Sequence, residues 1–141
     1  MAKSKKPLGC TGCRYEHIGE GFVPFEGPSD ARLCIVGQGP GPNEVEMGVP
    51  FFDAPRRAGF RLSRQLEYAG LNRAKAAVGN IVLCLIRTTG DDLVPPRAIA
   101  ECWQRHVGPA LHALEAKATQ RGEPLWVLWV GVPSLKVGLG K

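Results

Sequence analysis

Three short runs of almost wholly apolar residues constrain the fold of this chain more than any other feature. The runs are ARLCIVG at residues 31–37, NIVLCLI at residues 80–86 and LWVLWVG at residues 125–131. Apolar runs of this length without polar alternation are typical of strands buried on both faces, as in a parallel sheet. The segments between them have helical spacing, so the sequence predicts the order strand, helix, strand, helix, strand.

Two helices are predicted between these strands. Residues 59–69 place Leu62 and Leu66 one turn apart on an apolar stripe. The second helix begins at Pro96, and Gly108 with the proline after it is expected to kink this helix or divide it in two. The alternation of strands and helices predicts an α/β fold with helices on both faces of a parallel sheet.

The length and charge of the chain limit the classes of protein to which it can belong. Its 141 residues fit one domain, which we expect at residues 9–141 after a basic tail at residues 1–8. A net charge of +5 favours polyanionic partners. No apolar run reaches the ~18 residues that span a bilayer, and no secretory signal is visible. We therefore expect a cytoplasmic protein without membrane contact.

Five cysteines are the strongest chemical feature. Cys10 and Cys13 form a C-x2-C pair, Cys84 lies near the end of the second apolar run, and Cys102 lies about two turns into the next helix. Four thiolates can bind zinc or an iron–sulfur cluster and so hold the loop-rich N-terminal segment at residues 9–30. The spacing alone leaves open that Cys84 and Cys102 are small core residues, as Cys34 is expected to be.

Taken in order, five short motifs resemble the family 4 uracil-DNA glycosylases, the iron–sulfur branch of that superfamily. The similarity runs from about Cys10 to Gly140. It implies a three-layer α/β/α fold and hydrolysis of the N-glycosidic bond of uracil in DNA. The motifs are GCTGC at residues 9–13, VGQGPG at residues 36–41 followed by Glu44, GVPF at residues 48–51, NIVLC at residues 80–84 and IAEC at residues 99–102.

The resemblance also implies a cofactor. Cys10, Cys13, Cys84 and Cys102 match the four ligands of the family's [4Fe-4S] cluster, whereas Cys34 matches none. Zinc remains the alternative from the residues themselves. The family has a fourth strand and a later His-containing motif that stabilises the departing base. This sequence ends before that region, so we expect the fourth strand to be missing and the domain to be incomplete at its C-terminus.

Five residues match the substrate site of the family. Phe51 matches the residue that stacks on a base extruded from DNA. Asn80 matches the residue that distinguishes uracil from cytosine, because its amide can accept from N3–H and donate to O4. Gly37, Gln38 and Gly39 form the glycine-containing loop after the first strand, where exposed N–H groups can hold substrate oxygens.

The expected catalytic residues are Gln38 and Glu44. The family usually carries Glu where Gln38 stands, and an amide cannot act as a general base. Glu44 matches a recurring acid and is the candidate to replace it; on sequence alone it can equally be a solvated residue. A related branch carries Gln at this position but places an aspartate after it, where this chain has Gly39.

Three functions follow from these observations. The first is a monomeric uracil-DNA glycosylase of base excision repair that acts on single- or double-stranded DNA. The alternative is a catalytically weakened iron–sulfur domain that still binds DNA or uracil, and the third is a regulatory iron–sulfur domain. Four arginines after Phe51 can contact DNA phosphates or form a solvated helix face. They are Arg56, Arg57, Arg61 and Arg64.

Overall fold

The computed structural model describes residues 5–87 and 94–141, and it has the predicted α/β architecture. In the described residues, three parallel strands form one sheet in the order β2-β1-β3. The central strand pairs with both neighbours, and its last residue, Gly37, lies opposite Asn80. The strands are β1 (Leu33–Gly37), β2 (Ala77–Asn80) and β3 (Trp126–Trp129).

Helices cover both faces of the sheet. Alternate residues of β1 point to opposite sides, so each side of this strand packs in its own apolar core. Cys34 and Val36 belong to the larger apolar core, which α3 and α4 cover, and Ile35 packs in a second core under α2. This arrangement confirms the expected three layers. The helices are α1 (Pro42–Met47), α2 (Ala58–Tyr68), α3 (Pro96–Cys102), α4 (Gly108–Gln120) and α5 (Val132–Gly138).

The second strand differs from the prediction for residues 80–86. It ends at Asn80, opposite Gly37, where its partner strand β1 also ends. The Ile81 N–H donates to Gly37 O, and the chain then bends while its apolar side chains stay buried. Asn80 therefore lies at the carboxyl end of the strand and not at its start, and Cys84 lies four residues beyond the strand.

The third strand is covered on one face only, so the expectation of burial on both faces was wrong for it. Val127 and Trp129 pack against the larger core. Trp126 and Leu128 point to the other side and are 68% and 44% exposed. The reason is position, because β3 is at the edge of the described sheet and α2 covers only β1 and β2 on that face.

The N-terminal segment is held partly by backbone pairing, in addition to any metal centre that its cysteines bind. Glu26 and Val78 exchange two hydrogen bonds of 2.8 Å, and Glu20 pairs with Leu85 further along the chain. Val23 between them is fully buried. The segment thus runs antiparallel along the outer edge of β2 and the residues that follow it.

The region after Pro96 is interrupted as predicted, by a π-helical turn over Trp103–Val107 directly before Gly108. The proline- and glycine-rich sequence at residues 38–55 predicts a long loop, and the structure places the short α1 within it. The sequence before Pro96 also predicts a loop at residues 88–95, of which residues 88–93 lie outside the described residues. In the described part of the chain, each helix is too short or too polar to cross a membrane.

Candidate metal centre and adjoining groove

Four of the five cysteines line a single cavity, although they come from distant parts of the sequence. Cys10 and Cys13 belong to the N-terminal segment, Cys84 follows β2, and Cys102 is the last residue of α3. The cavity itself has a volume of about 20 Å³, and it is partly open to solvent. Cys34 lies apart from it, fully buried in β1.

The chemistry of these donors fits an iron–sulfur cluster. Thiolates are the ligands that select zinc, copper(I) or iron–sulfur centres. In the described residues, no three His, Cys, Asp or Glu side chains are close enough to share one metal ion. The donor set by itself therefore fits an iron–sulfur cluster or a zinc ion.

Without a positive centre beside them, three of these buried thiols have raised pKa values, so their ionised form is unfavourable. Burial raises the pKa of Cys102 to about 12, and the neighbouring cysteines add to the shift. Burial also raises the pKa values of Cys10 and Cys84, with repulsion from Cys13 adding to both shifts. A bound metal centre would remove this cost, because it compensates the thiolate charges directly.

Several polar groups surround the sulfurs. The Tyr15 N–H donates to Cys13 Sγ at 3.4 Å, and His106 Nε2 lies 3.2 Å from Cys10 Sγ. Burial, with a smaller contribution from Arg105, lowers the pKa of His106. The sequence interpretation left His106 unassigned. Its position four residues after Cys102, one helical turn on, was the available signal.

An open groove adjoins the cavity. The groove has a volume of about 600 Å³ and is open to solvent. Gln38 and Gly39 line it, whereas Glu44, Phe51 and Asn80 do not. Val82 and Cys84 line both the groove and the cysteine cavity, so the two share a wall.

Phe51 and Asn80 meet at Gly37, outside the lining of this groove. A Cβ placed on Gly37 would lie 2.6 Å from Asn80 Oδ1 and 2.7 Å from Phe51 Cε2. The absence of a side chain at Gly37 therefore lets the ring and the amide approach the end of β1. Both are covered in this structure, with 7% of Phe51 and 3% of Asn80 exposed.

Arg73 fixes the backbone around Phe51. Its guanidinium donates to Phe51 O at 2.6 Å, to Pro50 O at 2.5 Å and to Ser63 Oγ at 3.3 Å. Phe51 has a φ of 48°, in the left-handed region that is costly for a bulky residue. These bonds explain how the strained turn persists. The sequence interpretation did not identify Arg73, since nothing local links it to a loop 22 residues earlier.

The two expected catalytic residues stand in different surroundings. Gln38 is half-buried and lines the groove. Glu44 lies in the first turn of α1, and its carboxylate folds back over the helix N-terminus, where a Cβ on Gly41 would lie 2.9 Å from Glu44 Oε2. A carboxylate there stabilises the helix end, which is a structural role.

The arginines after Phe51 are exposed, as expected for either interpretation. Arg64 pairs with Glu67 at 2.8 Å and lies near Asp53, so its charge is partly compensated. Arg57 is the N-cap residue of α2, and Arg61 follows in the first turn. Neither of these two has an ion pair among the described residues.

A sequence model of the uracil DNA glycosylase superfamily matches residues 24–137. The match covers the sheet, the loop with Gln38 and Gly39, and the described helices α1 to α4 in full, and the chain belongs to this superfamily.

Curated relatives narrow the similarity to one branch. A type-4 uracil-DNA glycosylase of Thermotoga maritima is 35% identical over 81 residues, which cover 57% of this chain and 41% of the relative. A type-4 uracil-DNA glycosylase of Sulfurisphaera tokodaii is 35% identical over 55% of this chain and 34% of the relative. One of Saccharolobus solfataricus is 36% identical over 53% of this chain and 34% of the relative. The aligned region spans about two fifths or less of these relatives.

Proposed function

We propose that this chain hydrolyses the N-glycosidic bond of uracil in DNA. The names of its relatives support this activity, and the convergence of Phe51 and Asn80 on Gly37, at the carboxyl end of β1, is the observation that carries it. Ligands of open α/β sheets bind outside the carboxyl ends of the strands.

In the proposed reaction, each residue has one task. An extruded uracil enters beside Gly37, where the Phe51 ring stacks on the base. The Asn80 amide accepts from N3–H and donates to O4, a pattern that cytosine inverts. Gln38 positions the attacking water from the groove wall, and N–H groups of the glycine loop stabilise charge on the departing base.

A [4Fe-4S] cluster is the proposed cofactor, held by Cys10, Cys13, Cys84 and Cys102. When bound, it supplies iron–thiolate bonds that join the N-terminal segment to α3 and to the residues after β2. Because Cys84 lines both cavity and groove, these bonds would also stiffen the groove wall. Equal amounts of iron and acid-labile sulfide in brown protein support the cluster; zinc in colourless protein contradicts it.

The excision test compares variants at two asparagines. Asn80→Asp is expected to lower the release of uracil from a single-stranded oligonucleotide about 10²–10³-fold, because a carboxylate cannot donate to O4. Asn72→Asp is the matched control: Asn72 caps an exposed turn by accepting from Ala74 N, and aspartate caps equally well. Equal rates in the two variants would contradict the role of Asn80.

A second candidate function is DNA or uracil binding with little excision. The observation in its favour is that the groove presents the Gln38 amide, while the Glu44 carboxylate folds over its own helix. Salt-dependent binding of uracil-containing DNA without abasic product in the wild type would select this function. Gain of excision in Gln38→Glu would then identify the missing base.

We further propose that residues 9–141 act as one domain, as a monomer in the cytoplasm. All five cysteines are free thiols in the structure, which suits a reducing compartment. Sedimentation of the loaded protein and localisation of a tagged chain test the two statements.

A further inference from the structure

We propose that His106 and Arg105 clamp the Cys10 turn and tune the iron–sulfur centre through the Cys10 sulfur. The inference rests on the proposed cluster and not on uracil excision. Both residues lie in the π-helical turn that joins α3 to α4, and such turns frequently occur at functional sites. They are positioning residues, because they act on the centre through Cys10.

The first half of the clamp is the contact between His106 and Cys10. His106 Nε2 lies 3.2 Å from Cys10 Sγ. An iron-bound thiolate has no proton to give, so the ring must donate its Nε2–H to the sulfur. The ring is fixed edge-on to Phe22, with centroids 5.0 Å apart. Gly9 leaves room for it, since a Cβ there would lie 2.8 Å from His106 Cε1.

The second half is Arg105, which holds the backbone on both sides of Cys10. Its guanidinium donates to Gly9 O at 3.1 Å and to Thr11 O at 2.9 Å. Glu101, one helical turn earlier, fixes the guanidinium through a 2.9 Å ion pair. The Cys10 turn therefore has little freedom to move relative to the helix that carries Cys102.

Both contacts place positive charge or N–H donors beside a cluster sulfur. Hydrogen bonds to the sulfurs and net charge are among the features that set the reduction potential of such centres. Donors stabilise the more negative, reduced state, so they raise the potential. Groups that hydrogen-bond to a metal ligand also slow loss of the metal, and their removal typically lowers the affinity for the metal about 10–100-fold.

The test uses the cluster-loaded full chain and two readouts other than excision. These are the midpoint potential from a redox titration and the rate at which an iron chelator bleaches the visible absorbance. His106→Phe keeps a ring against Phe22 but removes the donor. We expect a lower potential and roughly tenfold faster bleaching. His106→Gln, whose amide can donate, should restore both values towards wild type.

The control is His112→Phe, which makes the same change at an exposed histidine of α4 outside the cavity lining. It should match the wild type. Wild-type values for His106→Phe would overturn the proposal. Equal losses in the Phe and Gln variants would also overturn it, because ring packing would then explain them.

Assembly itself is a further readout. A His106→Phe protein that fails to load a cluster, beside a His106→Gln protein that loads one, supports the clamp. Failure of both variants contradicts it. A wild-type protein without iron and sulfide overturns the proposal whatever its excision rate, and a loaded protein without excision leaves the clamp intact.

Discussion

At the residue scale, Arg73 shows how one side chain can hold a strained loop. Its three hydrogen bonds, two of them to the backbone carbonyls of Pro50 and Phe51, link the turn after β1 to the segment before β2. Hydrogen bonds to a charged group are each worth about 1.5–3 kcal/mol. The Phe51 turn, with its positive φ, depends on them.

We expect Arg73→Leu to lower the free energy of unfolding by about 2–3 kcal/mol, since it leaves two partly buried carbonyls without their donor. Urea denaturation followed by circular dichroism measures the change. Arg32→Leu is the matched control, because the Arg32 side chain is 71% exposed and its pair with Glu123 is worth at most about 1 kcal/mol. Equal losses in the two variants would contradict the role of Arg73.

Cys34 gives a prediction on alkaline stability. Burial raises the pKa of its thiol from 9.0 to about 12. Below pH 9 the thiol is neutral in both states. Between pH 9 and about 12, the unfolded chain loses a proton that the folded chain keeps, so stability falls with rising pH by up to about 1.4 kcal/mol per pH unit.

Cys34→Ala should remove this slope. The measurement is the urea midpoint of the cluster-loaded wild type and variant at several pH values above 8. Plotted against pH, the urea midpoints of the two proteins should converge as pH rises, whatever free energy of unfolding the substitution costs at neutral pH. Curves that stay parallel would show that Cys34 does not titrate as its burial requires.

The residue types in the sequence indicated part of the metal centre and of the proposed base site. They could not indicate the contacts between distant residues. The C-x2-C pair and the Asn80 motif are visible locally. His106 was left unassigned because its partner Cys10 is 96 residues away. Asn80 was placed at the wrong end of its strand, since an apolar run does not show where its partner strand ends.

At the element scale, the two halves of the N-terminal segment are held to the rest of the chain in different ways. Residues 20–26 pair with residues 78–85 through the backbone. Residues 9–19 have few such bonds to the sheet, and the Lys6 side chain bonds to Gly19 O across them. The two halves should therefore differ in their dependence on the metal centre.

Removal of iron with a chelator is expected to speed hydrogen exchange mainly in residues 9–19. Residues 20–26 and the strands of the sheet should keep most of their protection, because their backbone bonds do not involve the cysteines. Exchange monitored by mass spectrometry before and after chelation measures this difference. A uniform rise in exchange over the whole chain would contradict the division of the segment.

Element prediction succeeded where the pattern was long and periodic. The helix expected at residues 59–69 is α2, displaced by one residue. Strand β3 has the apolar composition of a buried strand, yet half of its side chains are exposed. Composition does not show whether another element covers a face, and that is decided by which elements pack nearby.

At the scale of the whole molecule, the net charge of +5 favours polyanions, a class that includes the proposed DNA substrate. The exposed arginines at the start of α2 lie beside the Phe51 loop, since Gly59 packs against the backbone of Phe51 and Phe52. Phosphate contacts from this side would hold DNA near the proposed base site.

Arg61→Gln tests this contribution. We expect the slope of the logarithm of the binding constant against the logarithm of salt concentration to fall by about 0.7 for single-stranded DNA, the value for one lost phosphate contact. Fluorescence anisotropy with a labelled oligonucleotide measures it. Arg121→Gln, which removes a charge paired with Glu123 at the end of α4, is the control and should leave the slope unchanged. Equal slopes for all three proteins would exclude Arg61 from the interface.

The sequence by itself determined the α/β class, the superfamily and the types of residue available for chemistry. These follow from local composition, periodicity and ordered motifs, which are properties of the chain before it folds. Only the tertiary structure decided that four cysteines share one cavity with His106, that Arg73 holds Phe51, and that Gly37 admits Phe51 beside Asn80. Each of these is a contact between distant segments, and its geometry is set when the sheet brings the ends of its strands together.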